Sequence, residues 1–161
     1  LFNQNQKPAI DIGRSVSRVG GAAQKPAMRK LVGNLKLELS QYKEVEHFTR
    51  FGTEVDETTR RQINKGKRIL SILMQGPNNP YSYSLTIVIL FALNKGYLDQ
   101  IPIHQIGKYE HDLRDYFAQR ESKLLNHIEQ ESQLTESISN ELIETLSAFT
   151  ENWFELKGES Q

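Results

Sequence analysis

From Met28 onward, apolar residues return every three or four positions: Leu31, Val32, Leu35, Leu39, Tyr42, Val45, Phe48 and Phe51. That spacing predicts one stripe on a long helix. Pro26 suits its first turn, where the missing N–H would be unpaired anyway, and Gly33 is a weak point inside it. Phe51-Gly52 predicts the end. In a second helix, Thr53 and Asp56 are spaced for capping, and Glu54, Asp56 and Glu57 place negative charge at the positive end of the dipole. Ile63, Ile69, Leu70, Ile72 and Leu73 carry its inner face to Gln75. Gly76-Pro77 stops it, and Gly76 to Ser84 reads as a loop.

The third helix, from about Ser84 to Asn94 with Gly96 behind it, is apolar nearly all round. A helix without a polar face belongs at the buried centre of a bundle. A fourth is predicted from about Pro102 to Arg120, with Ile103, Ile106, Tyr109, Leu113, Tyr116 and Phe117 inward. Leu124, Leu125 and Ile128 make a short fifth; Ile138, Leu142, Ile143, Leu146, Phe149 and Trp153 form a sixth. Residues 1 to 23 differ. Pro8, Gly13, Gly20 and Gly21 punctuate them, and Ser15-Val16-Ser17-Arg18-Val19 mixes polar and β-branched residues in a strand-like way. The pattern predicts an all-α bundle of about six helices behind a short non-helical lead-in.

Composition narrows the function classes. The 161 residues include no cysteine, which excludes disulfides, thiolate metal sites and cysteine nucleophiles. The longest apolar run, Leu85 to Leu93, is interrupted by Thr86 and falls far short of the roughly 20 residues of a membrane span. Twenty basic and twenty acidic residues cancel, but not locally. Residues 1 to 36 hold Lys7, Arg14, Arg18, Lys25, Arg29, Lys30 and Lys36 against Asp11 alone, whereas residues 128 to 161 hold eight glutamates against Lys157. The acidic tail reads as a solvated helix face. The basic head suits an anion, and one reading is a helical interaction module that binds nucleic acid, although no helix-turn-helix or stacking aromatics accompany it. Leu1 in place of methionine predicts a fragment or a processed chain.

Searching for self-contained chemistry returns little. There is no G-x-x-x-x-G-K-[ST] phosphate loop, H-E-x-x-H, G-x-S-x-G or G-x-G-x-x-G. His104 and His111, with Asp112 and Asp115 nearby, have the spacing for a zinc site, but histidines on amphipathic surfaces are far commoner, and no metal is expected. Glu54, Asp56 and Glu57 are accounted for by helix-start stabilisation. What is left is Ser15-Val16-Ser17-Arg18-Val19-Gly20-Gly21-Ala22-Ala23-Gln24, where an arginine precedes two glycines that permit close backbone approach.

That run closely resembles the S-V-S-R-V-G-[GS]-A-A-Q signature of the α subunit of F-type rotary ATP synthases. The resemblance continues through Lys36-Leu37-Glu38-Leu39-Ser40-Gln41-Tyr42-Lys43-Glu44, Phe51-Gly52-Thr53-Glu54-Val55-Asp56 and Gly96-Tyr97-Leu98-Asp99. It holds in register to Tyr97; beyond Arg120 only the helical pattern matches. The resemblance implies that residues 1–24 end a nucleotide-binding domain and residues 25–161 form the C-terminal helical domain. It implies a ring with β subunits around a γ central stalk, ATP or ADP with Mg²⁺ in the intact complex and none on the isolated fragment. The position implied is peripheral, on the cytoplasmic face of a bacterial plasma membrane or the matrix or stromal face of an organelle energy-transducing membrane, without insertion, and nucleic acid is not an expected partner.

Within that resemblance, Arg18 occupies the position of the arginine that reaches into the neighbouring β catalytic site, with Ser17 setting the turn. Phosphoryl transfer spreads negative charge over the γ-phosphoryl oxygens, and a planar guanidinium with a fixed fork of donors stabilises it better than lysine would. Thr53, Glu54 and Asp56 match the acidic loop that faces the central stalk. Near the non-catalytic nucleotide site the family has an Arg-Pro pair and a Gln-x-Gln segment; here these read Lys7-Pro8 and Gln75-Gly76-Pro77, which puts nucleotide affinity there in doubt. With Asp11 and Arg14, these departures point to a divergent branch, for example a sodium-pumping one.

Overall fold

The computed structural model describes residues 25–49, 56–73 and 82–159. Six α-helices occupy them: α1 (Pro26–Thr49), α2 (Glu57–Leu73), α3 (Tyr83–Lys95), α4 (Ile106–Arg120), α5 (Ser122–Gln130) and α6 (Glu136–Glu159), with a 3₁₀ turn (Ile103–Gln105) before α4. No strand occurs among the described residues. The all-α expectation holds.

α3 is the centre. Its residues Tyr83, Ser84 and Thr86 to Leu93 are buried, as its lack of a polar face predicts. Ser82 caps the start, its hydroxyl accepting from the Leu85 N–H at 3.3 Å. Gly96, at φ 84°, ends it in the left-handed region that only glycine enters without cost. The Gly96 N–H donates to the Leu93 carbonyl and the Tyr97 N–H to that of Ala92, a Schellman pair that satisfies the last carbonyls.

α1, α5 and α4 pack directly against α3. α1 contributes Met28, Leu31, Val32, Leu35, Leu39 and Tyr42. α1 and α2, joined only by residues 50–56, pack as an antiparallel hairpin. Their axes come close where Gly66 lies on the Tyr42 side chain; a Cβ at Gly66 would collide with Tyr42 Cγ. Beside that contact Lys65 pairs with Glu38 at 3.7 Å.

Arg68 closes the far side of α3. The residue is buried, 8% exposed. It donates Nε–H to the carbonyls of Leu98 (2.8 Å) and Ile101 (3.1 Å), Nη2–H to Ile101 (2.7 Å) and Nη1–H to Asn64 (3.1 Å). The turn after α3 is thereby tied to α2, and the donors of a buried cation are satisfied. Burial pushes this guanidinium below the ordinary arginine value, while the Asp99 charge opposes the shift.

α6 docks through aromatic side chains that keep a polar end. Tyr109 packs edge-on against Phe149 and Trp153 at 5.5 and 5.3 Å between ring centroids. Its hydroxyl lies 2.7 Å from Thr150 Oγ1, and Trp153 Nε1–H donates to Asp112 at 2.9 Å. Three expectations are corrected. The stretch from Pro102 opens as a 3₁₀ turn, because the chain must bend out of the Arg68-bound turn before α4 begins. Ile103 and Ile143 point outward at 39% exposure each. Ile103 lies in that bend; Ile143, next to buried Leu142, falls outside the contact stripe of α6.

Gly66→Ala is expected to cost about 1–3 kcal/mol by overpacking against Tyr42. Gly33→Ala, whose added Cβ meets nothing within 4 Å, is expected to gain up to about 1 kcal/mol by helix propensity. Urea melts of the two variants against the parent chain check both signs.

Candidate functional site

The start of α1 is the best-defined polar cluster beside a predicted functional segment. Lys25 is the N-cap residue: its carbonyl accepts the Arg29 N–H at 3.0 Å. Its Nζ donates to the Glu129 carbonyl at 3.2 Å and stands 4.3 Å from the centroid of the Tyr83 ring. The Glu129 carboxylate accepts the Ser84 N–H at 3.3 Å, and the Ala27 N–H donates to the Ser132 carbonyl at 3.0 Å. Three helix termini therefore meet here: the starts of α1 and α3 and the end of α5. The Tyr83 hydroxyl is buried without a hydrogen-bond partner. Burial, and secondarily the Glu129 charge, hold this phenol in its neutral form above the ordinary tyrosine range.

At the opposite end of α1 the chain turns into α2. Asp56 Oδ1 accepts the Thr59 N–H at 2.8 Å and caps α2. The Thr59 amide and hydroxyl hold this exposed carboxyl below its ordinary range, so it is ionised at neutral pH. Behind it, Glu57 pairs with Arg60 at 3.3 Å and Arg61 at 3.5 Å. The 24 residues of α1 span roughly 36 Å, which separates the Lys25 end from the Asp56 end by about the width of a small domain.

Of the residues singled out in the sequence, Asp56 is placed, in its capping role. Lys7, Pro8, Ser17, Arg18, Thr53, Glu54 and Gln75 lie outside the described residues. His111 faces Asp115 at 3.4 Å, while Asp112 is engaged by Lys108 and Trp153. Among the described residues no three His, Asp or Glu side chains gather into a metal-binding group, and no helix is long and apolar enough to cross a membrane.

Two buried charges were missed by the sequence reading although each lies on an apolar stripe: Arg68, one turn before Ile72, and Glu110, one turn after Ile106. Glu110 is 4% exposed, its Oε2 has no hydrogen-bond partner, and burial pushes the carboxyl up to about 7 despite the opposing charge of Arg114. Lys25 was read only as part of a basic head. Its position at the positive end of its own helix, where a cation is disfavoured, was the available signal that its charge serves another element.

A family model described as the ATP synthase alpha/beta chain, C terminal domain, matches residues 24–149. The chain is similar to ATP synthase subunit alpha of Aquifex aeolicus (41% identical over 153 residues, 95% of this chain and 30% of that protein). It is similar at 42% over 153 residues to that of Latilactobacillus sakei, and at 40% over 149 residues to that of Petrotoga mobilis. The chain spans about 30% of the length of these curated relatives. The match runs well past Arg120, where the signature blocks had thinned to a helical pattern.

The Glu110 shift carries a sign. An acid whose folded pKa lies above its unfolded one favours folding at low pH, so this contribution fades as pH rises from about 4.5 towards about 7. Glu110→Gln, neutral throughout, is expected to flatten that decline and to raise the melting temperature at pH 8 more than at pH 4.5. Thermal melts across that range are the check.

Proposed function

This chain belongs to the ATP synthase alpha/beta chain family through its C-terminal domain, and from that membership we propose that it is the C-terminal part of an α subunit in a rotary ATP synthase. In this reading the helical bundle is a structural member of a ring shared with β subunits. Catalysis takes place on a neighbour, to which the segment before α1 lends Arg18. The observation that carries the reading is the run Ser15 to Gln24, which leads directly into the region matched by the family model.

Arg18 acts in trans: its guanidinium stabilises the charge that develops on the γ-phosphoryl group bound by the β subunit, with Ser17 shaping the turn. ATP or ADP with Mg²⁺ is the ligand of the whole complex, and Lys7, Pro8 and Gln75 border a weakened non-catalytic nucleotide site. Thr53, Glu54 and Asp56 face the γ stalk. Asp56 supports this through its exposed, ionised carboxylate at the start of α2. The complex sits peripherally at an energy-transducing membrane and couples ATP turnover to ion transport. Within the basic head, Lys25 is engaged by Glu129 and Tyr83.

In the reassembled complex, Arg18→Ala is expected to reduce ATP hydrolysis by about 10³-fold or more, and Arg18→Lys is expected to recover little of it. Steady-state turnover measures both; near-normal rates would refute the finger role.

A further inference from the structure

The face of α6 turned away from the bundle carries features that water does not require. Ile143, Ser147 and Phe154 are exposed and stand at i, i+4 and i+11, so they share one strip beside the stripe that docks on the bundle. The Tyr97 hydroxyl donates to the Ile143 carbonyl at 3.2 Å and lies 2.9 Å from Ser147 Oγ, so the turn after α3 borders that strip. Phe154, 37% exposed, is held edge-on against buried Trp153 at 5.5 Å between ring centroids. Glu144, Glu151 and Glu155, all exposed, form the adjoining strip. Their charge is uncompensated. α1, α2 and α4 each hold an acidic side chain in an ion pair, whereas Glu141, Glu144, Glu151 and Glu155 have no such partner among the described residues. Glu141 and Glu144 are three residues apart and Glu151 and Glu155 four, spacings at which like charges repel along a helix.

We propose that this face of α6 docks a basic amphipathic helix of another protein chain. The partner's apolar edge covers Ile143 and Phe154, and its lysine or arginine side chains meet Glu144, Glu151 and Glu155. Charge complementarity selects this occupant. A basic helix removes the repulsion along α6, while a neutral one leaves it and an acidic one adds to it. A second copy of the same face is disfavoured for that reason, since it would set glutamates against glutamates. Eleven residue steps from Ile143 to Phe154 rise about 17 Å, so a partner helix of about 12 residues spans the strip. The inference goes beyond the Arg18 reading and does not depend on it.

The test titrates labelled helical peptides against the full-length protein that carries this chain and reads fluorescence anisotropy. The probe is a peptide of about 14 leucines and lysines with the leucines on one face. One control has the same composition scrambled, so that no face is apolar; the other has glutamate in place of lysine. The basic amphipathic peptide is expected to bind at least about 10-fold more tightly than the scrambled one, and the glutamate peptide not at all. Glu144→Gln, Glu151→Gln and Glu155→Gln together are expected to weaken binding by about 10-fold at low salt and little at high salt, where the ion pairs are already screened. Ile143→Ser with Phe154→Ser is expected to weaken it by about 10-fold or more at both. Glu57→Gln, on α2, is expected to change nothing. Circular dichroism checks that each variant keeps its helices. Should the double serine variant lose helix content, Ile143→Ser alone carries the apolar comparison. Absence of binding by the basic amphipathic peptide, equal binding by the scrambled one, or binding that survives both sets of substitutions overturns the proposal.

Discussion

A helix with no polar face imposes conditions on everything around it, and α3 is such a helix. Ten of its 13 residues are buried, so neighbours must cover every side. Its end groups also find partners in protein. The start is satisfied by Ser82 and by the Glu129 carboxylate; the end by the Gly96–Tyr97 Schellman pair and by Arg68, which grips the following turn. These polar contacts come from α2, from α5 and from the flanks of α3 itself. Coverage and capping together dictate which helices surround it and where they begin.

The same conditions explain where buried Arg68 and Glu110 and half-buried Lys25 sit. Arg68 is buried because its donors are consumed by three backbone carbonyls, a geometry that a planar guanidinium meets and an ammonium would not. Lys25 sits at the unfavourable end of α1 because the unfavourable end happens to adjoin the favourable end of α5. Glu110, whose Oε2 has no hydrogen-bond partner, is pushed up to about 7 by burial, with only the Arg114 charge opposing.

For a member of the ATP synthase alpha/beta chain family, this arrangement makes α1 a strut with different chemistry at its two ends. The clamp of Lys25, Tyr83 and Glu129 lies at the end that continues from the Ser15–Gln24 signature; the capped acidic turn at Asp56 lies at the other. Between them runs an apolar stripe whose rigidity follows from packing against α3 and from the close contact of Tyr42 with Gly66. The structural demand on α1 is to keep those ends at a fixed separation.

Much of this was legible in the chain alone. Three-and-four spacing located α1, α5 and α6, Gly96 marked the end of α3, and the all-apolar run marked its centre, since helix period and backbone sterics are local properties. The signature around Arg18 named the family because it is a contiguous string. Other features depended on the third dimension. Ile103 and Ile143 fit a stripe by spacing yet face outward, for periodicity gives a face and not the width of the contact. Arg68 and Lys25 looked like ordinary surface charges because their distant partners lie 30 to 104 positions away and several are backbone carbonyls without a residue code; Glu110 did because burial leaves no mark in a residue code. Sequence decided which segments coil and which string carries the family resemblance; only the packed chain decided which charges are enclosed, because that depends on which helix ends come to lie side by side.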